Sequence, residues 1–149
     1  MLNMDDDGVA ELLVNDGTLI SLSDAGAHLR YLCDAAYGLH LLGHWVRERG
    51  SFDLADAIRR LTSLPADLYR ITDRGRIAPG AHADLLLFDP ATVTRGPLRR
   101  AFDLPGGESR LTRDSEGVHG VWVNGQHVFD GKDYVAATPP GVVIDHFDA

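Results

Sequence analysis

An incomplete α/β architecture is the fold class this sequence predicts, and three observations carry it. The elements run helix, strand, three helices, then a small set of strands. The first half holds one short apolar, β-branched run, Thr18 to Ser23, of the kind that makes a buried strand. A parallel strand is buried between neighbours on both sides, and the rest of the sequence supplies no companion of that type. The expectation is a part of a larger α/β unit joined to part of a β-sheet domain.

Asp5, Asp6 and Asp7 precede VAELLVN, and acidic residues at a helix start complement its dipole, so a short helix is predicted from Asp6 to Asn15. A solvated tail is the other reading of that stretch. Asp16-Gly17 is a turn, and the strand Thr18 to Ser23 follows it. Asp24-Ala25-Gly26-Ala27-His28 is a loop whose small residues let backbone or ligand approach closely. From Asp34 to Arg49 the period becomes helical, with Ala35, Leu39, Leu42, Trp45 and Val46 on one face. Gly50 stops that helix after the cations Arg47 and Arg49. Asp53 is a candidate N-cap with Asp56 three residues on, and Leu54, Ile58 and Leu61 make the next apolar stripe. Pro65 suits the start of another short helix through Tyr69.

After Ile71 the character is β. Ala83 to Phe88 reads as a strand ended by Asp89-Pro90. Ala91 to Gly117 carries Gly96, Pro97, Pro105, Gly106 and Gly107 among alternating charges, and reads as a long loop. Val118 to Val123 is a strand, Asn124-Gly125 a two-residue hairpin turn, and Gln126 to Phe129 the returning strand. The tail, with Pro139-Pro140, reads as irregular.

At 149 residues the chain is long enough for one real core. A net charge of −8 argues against phosphate-backbone binding, so no nucleic-acid partner is expected. No apolar stretch is long enough to cross a bilayer, so no membrane partner is expected either. The single cysteine, Cys33, excludes an intrachain disulfide, and the start MLNMDDDG has neither the basic nor the apolar part of a signal peptide. A cytoplasmic location fits both. Cys33 reads as a small buried hydrophobe rather than a nucleophile.

Three stretches carry a resemblance. They are TLISLSDAGAH at Thr18 to His28, then Ser51 to Pro90 with AIRRLTSLPADLYRITDRGRIAPGAHADLLLFDP inside it, and Gly117 to Gly131, which with Glu116 reads EGVHGVWVNGQHVFDG. In this order and spacing, with the helix around Trp45-Val46-Arg47-Glu48, residues 11 to 132 resemble the C-terminal portion of the amidohydrolase superfamily. They are most similar to its N-acyl-D-amino-acid deacylase branch. The resemblance implies the end of a (β/α)8 TIM barrel for residues 1–70, with Thr18 to Ser23 as its last strand and helices following. It implies part of a small β-sandwich domain for 71–135 and an irregular tail for 136–149.

The resemblance also implies a chemistry. Such enzymes hydrolyse an amide bond with water activated by a bound divalent metal, commonly zinc. Asp24, at the C-terminal end of the last strand, matches the carboxylate that takes the water's proton and touches the metal. His28 and Gly26 would then line the pocket of a small N-acyl amino-acid-like substrate. From spacing alone, Asp24 reads more readily as a helix cap, an order that the resemblance reverses, and His28 reads equally as a surface-loop histidine. His40 and His44 have a helical spacing that can grip zinc from one face, but two ligands do not make a site. His82, His119, His127 and His146 receive no role.

Seven histidines include no His-x-His pair, the signature that opens the barrel in the resembled family. Catalytic zinc takes about three protein ligands, so Asp24 cannot hold it unaided. The chain by itself is therefore expected to be inactive and to keep no zinc, with the N-terminal barrel portion or a second copy as its partner. The rival reading is a non-enzymatic binding or assembly module that reuses this fold segment. A third is a small hydrolase in which Asp24, His28, His40 and His44 meet across subunits.

Overall fold

The computed structural model describes residues 5–21 and 28–145. Helix α1 spans Asp6–Val14, with Asp5 as its N-cap accepting from the Asp7 N–H at 3.1 Å. The expected strand after it is not formed over the described part: Thr18 to Ser21 runs without strand pairing. A strand exists only through a neighbour that completes its ladder, and none lies beside this run among the described residues. The remainder of that expected strand, with Asp24 and Gly26, falls outside the described residues.

The helix expected over Asp34 to Arg49 begins later and changes its winding. Helix α2 is Tyr37–His40, entered through Ala36 at φ 71°, and continues without a break as a π-helix over Leu41–Glu48. The wide turn closes with the Arg49 N–H on the His44 carbonyl at 2.9 Å. Gly50, at φ 63°, ends it as expected. Helix α3, Leu54–Leu61, has the expected cap: the Asp53 carboxylate accepts from the Asp56 N–H at 2.8 Å. Helix α4, Ser63–Leu68, carries Pro65 in its first turn.

Among the described residues the β half holds five strands. A three-stranded antiparallel sheet has β1 (Leu85–Phe88) at one edge, β4 (Val118–Val123) in the centre and β5 (Gln126–Phe129) at the other edge. Leu85 faces Trp122, and Trp122 faces His127 across the β4–β5 hairpin. Its Asn124-Gly125 turn takes positive φ at both residues, 50° and 78°, as a type I′ turn requires.

The loop expected over Ala91 to Gly117 is instead largely an antiparallel hairpin. Strand β2 (Thr94–Ala101) pairs with β3 (Arg110–Glu116), and the tip holds a short turn of 3₁₀ helix, Pro105–Gly107. Gly96 and Pro97 had spoken against a strand. They occupy the register shift between Arg95 and Leu98, where the ladder is interrupted and proline's missing N–H costs nothing. A Cβ on Gly96 would lie 2.5 Å from the Asp114 carbonyl oxygen, so only glycine lets the two backbones meet there.

The core joins the two halves. Leu41, Leu42, Trp45 and Ala57 from the helices, with Phe52 from the connection before α3, surround Val93, which is 1% exposed and comes from the turn before β2. Val9 and Leu13 of α1 pack on the same cluster, as do Ile58 and Phe88. The Arg47 guanidinium donates to the Val93 carbonyl at 2.5 Å, fixing that turn over the π-helix.

Candidate functional site

Of the three residues the sequence marks for a site, only His28 is described. It is exposed, at φ 52°, and its carbonyl accepts from the N–H groups of Tyr31 (2.8 Å) and Leu32 (3.1 Å). That left-handed corner turns the chain sharply into residues 29–31. The turn is held by the β2–β3 hairpin, which sequence reasoning missed. The Leu111 N–H donates to the Leu29 carbonyl at 2.7 Å, and Arg113 Nε donates to the Cys33 carbonyl at 3.3 Å. Arg30 pairs with Glu108 near the hairpin tip. No periodicity could have announced these contacts, because each joins residues about eighty apart.

His40 and His44 stack with ring centroids 4.9 Å apart and planes 6° from parallel. The His44 Nδ1 lies 2.9 Å from a Glu48 carboxylate oxygen, and its Nε2 is 3.6 Å from Asp6 of α1. Burial holds the His40 imidazole below the ordinary histidine value, and nearby Arg95 and His44 add to that. His44 therefore ties α1 to the π-helix, and the two rings do not converge on a cation. Among the described residues no group of three or more His, Cys, Asp or Glu side chains could hold a metal ion.

An open pocket of about 340 Å³ lies elsewhere, lined by Arg70, Asp73, Arg74, His82, Asn124 and the apolar run Val142 to Ile144. His82 Nε2 is 3.3 Å from the Asp73 carboxylate, but both side chains are about half exposed. Its walls are held by an ion-pair network. Burial would raise the Asp84 carboxyl, yet the Asn124 N–H at 2.7 Å and Arg74 hold it below the usual range. Asn124 Nδ2 donates on to the Pro140 carbonyl at 2.6 Å, binding the tail to the hairpin turn. His28 does not line this pocket.

A model of the amidohydrolase family matches residues 4–129, most of the chain. The chain belongs to the amidohydrolase family. An N-acyl-D-aspartate deacylase of Alcaligenes xylosoxydans is 41% identical over 110 residues, covering 74% of this chain and 20% of that enzyme. A crystal structure of D-aminoacylase matches with 36% identity and a TM-score of 0.50, over 65% of this chain and 19% of that one. An N-acyl-D-glutamate deacylase from Bordetella bronchiseptica, solved with zinc and a phosphonate inhibitor, is 34% identical over 63% of this amidohydrolase chain and 19% of its own, with a TM-score of 0.44. This member of the family spans about a fifth of the length of the relatives it matches.

Proposed function

We propose that this chain is the C-terminal portion of a metal-dependent enzyme that hydrolyses the carbon–nitrogen amide bond of N-acyl-D-amino acids. What supports it most is the pairing of two facts: the family match runs through residues 4–129, yet those residues correspond to about a fifth of the deacylases. In this reading Thr18 to Ser23 becomes the last strand of a (β/α)8 barrel once its neighbours are present. The helices from Tyr37 to Leu68 follow it, within 1–70, and the strands within 71–135 form the C-terminal share of a small sandwich domain.

Asp24 is then the carboxylate that accepts a proton from the attacking water and delivers it to the leaving nitrogen. Gly26 and His28 line the pocket of a small N-acyl amino acid. The described residues do not fit zinc, since no set of about three ligands comes together among them. The remaining ligands belong to the barrel portion in this reading, and the chain by itself neither holds zinc nor hydrolyses substrate. Its partner is that barrel portion or a second copy, in a cytoplasmic setting.

The test is zinc per chain in protein purified at neutral pH without chelator, with release of amino acid from an N-acetyl-D-amino acid assayed on the same sample. Near-zero zinc and no release are expected. About one tightly held zinc per chain would sink the reading that the chain lacks a metal site of its own. It would make His28, His40 and His44 the first residues to mutate.

A further inference from the structure

We propose that the β2–β3 hairpin is a clamp on residues 28–33, and that Arg113 is the positioning residue through which it sets His28 in place. The proposal rests on the reading that His28 borders the substrate, but the clamp itself is tested without substrate or metal.

Four contacts, from four residues of the hairpin, converge on one six-residue stretch. Backbone meets backbone where the Leu111 N–H donates to the Leu29 carbonyl at 2.7 Å. The half-buried Arg113 bridges two carbonyls, Cys33 at 3.3 Å through Nε and Gly96 at 3.1 Å through Nη1. Arg100 reaches the Arg30 carbonyl at 3.5 Å, and Glu108 pairs with the Arg30 side chain. The register shift at Gly96-Pro97 is what makes the bridge possible. It breaks the ladder opposite Asp114, so the Gly96 carbonyl is left to accept from Arg113 instead of a partner strand.

A planar guanidinium is suited to this work. Its donors are fixed in a fork, so two carbonyls held at once fix the spacing between the hairpin and Cys33. The other end of the clamped stretch is His28, at φ 52°, whose carbonyl is already committed to Tyr31 and Leu32. A left-handed backbone in a residue with a side chain persists only when its surroundings enforce it. Releasing Cys33 and Leu29 removes that enforcement and frees the histidine's direction.

The experiment compares the full chain with its Arg113→Met variant by amide hydrogen exchange and by proton NMR of the histidine rings. The expected result is roughly ten- to hundredfold faster exchange at Tyr31, Leu32 and Leu111, with the amides of Arg49 and Ser51 at the end of the π-helix unchanged. The His28 ring signals, identified by their loss in His28→Gln, should move toward the free-histidine position. Arg113→Lys, which keeps one donor to a carbonyl, should restore part of both effects. Unchanged exchange at Tyr31, Leu32 and Leu111, or ring signals that stay in place, would overturn the clamp.

Should Arg113→Met loosen the π-helix too, the pair Arg30→Glu and Glu108→Arg decides. Each alone should speed exchange at Tyr31 and Leu32 a few-fold and the double exchange of charges should restore it. A double variant as loose as either single one would overturn the proposal. None of these outcomes alters the zinc and hydrolysis results, so the two readings fail separately.

Discussion

Arg60 shows how a charge can be buried at little cost. It is 3% exposed, yet its donors reach the carbonyls of Val14 (2.9 Å) and Asn15 (3.3 Å), the Asp56 carboxylate (2.8 Å) and Asp16 (3.1 Å). The guanidinium also lies 5.6 Å from the Phe52 ring centre. It joins the end of α1 to α3, where Arg59 also lies 4.0 Å from Asp16. Arg60→Met keeps the stem but removes the donors to two carbonyls and two carboxylates, of which Asp56 keeps Arg59. It should cost about 3 kcal/mol in urea denaturation at pH 7. The same residue sets an acid limit. The hydrogen bond from Arg60, helped by Arg59 and opposed by burial, holds the Asp56 carboxyl below its usual value. Its folded value is lowered, so its stabilisation is complete above the unfolded value near ~4 and fades as pH falls through the folded one. The stability gap between the native chain and Arg60→Met should therefore narrow between pH 7 and pH 3. A gap that stays constant would show that Asp56 and Arg60 are not coupled.

At the scale of elements, close approach overrides propensity. Gly43 lies in the π-helix, where alanine would ordinarily gain about 1 kcal/mol. A Cβ there would stand 2.8 Å from the Val93 carbonyl oxygen and 2.9 Å from the Thr94 hydroxyl. Gly43→Ala should instead destabilise by about 2 kcal/mol in chemical denaturation, because the turn at Val93 must move off the core. By contrast Asp53→Ala should cost about 1 kcal/mol by the same measurement, the ordinary worth of a helix cap. That pair marks what was legible in the sequence. The Asp53 cap, the Gly50 stop and the Asn124-Gly125 turn were readable because each is decided within a few residues. The expected apolar stripe of α3, Leu54, Ile58 and Leu61, does pack on the core, while the helix's most buried positions, Ala57 and Arg60, are explained only by the partners Phe52 and α1. The β2–β3 hairpin was hidden by Gly96 and Pro97, which mark an interruption of a strand as readily as its absence. Of the candidate site, the role proposed for Asp24 rests on resemblance alone, and the proposed clamp on residues 28–33 was not legible at all. Its contacts come from the register of a hairpin far along the chain.

Over the whole molecule, the surface is too large for the mass. A folded 16.2 kDa monomer exposes roughly 7,500 Å² by the usual scaling, and this chain exposes 10,072 Å². Part of the excess is apolar, and one share of it lies at the sheet edge. Leu85, Leu86 and Leu87 of β1 are all exposed, Leu87 at 53%, and β1 pairs only with β4 among the described residues. A run of three leucines with one free ladder edge is a template for another strand, and natural edges are blunted with charge to avoid this. In the proposed enzyme that edge would be covered by the rest of the polypeptide; in the chain alone it is left to a second copy. The chain should therefore self-associate in the micromolar range, with an apparent mass that rises with concentration in sedimentation experiments. Leu86→Lys places a charge on the edge strand while removing little buried area, so its urea midpoint should shift by no more than about 0.5 kcal/mol. Its association should fall sharply, because pairing would desolvate an unpaired ammonium. If Leu86→Lys associated as strongly as the native chain, the contact would lie elsewhere. The exposed aromatics Tyr31 and Phe102, on the clamped stretch and just beyond β2, would be the next surface to test.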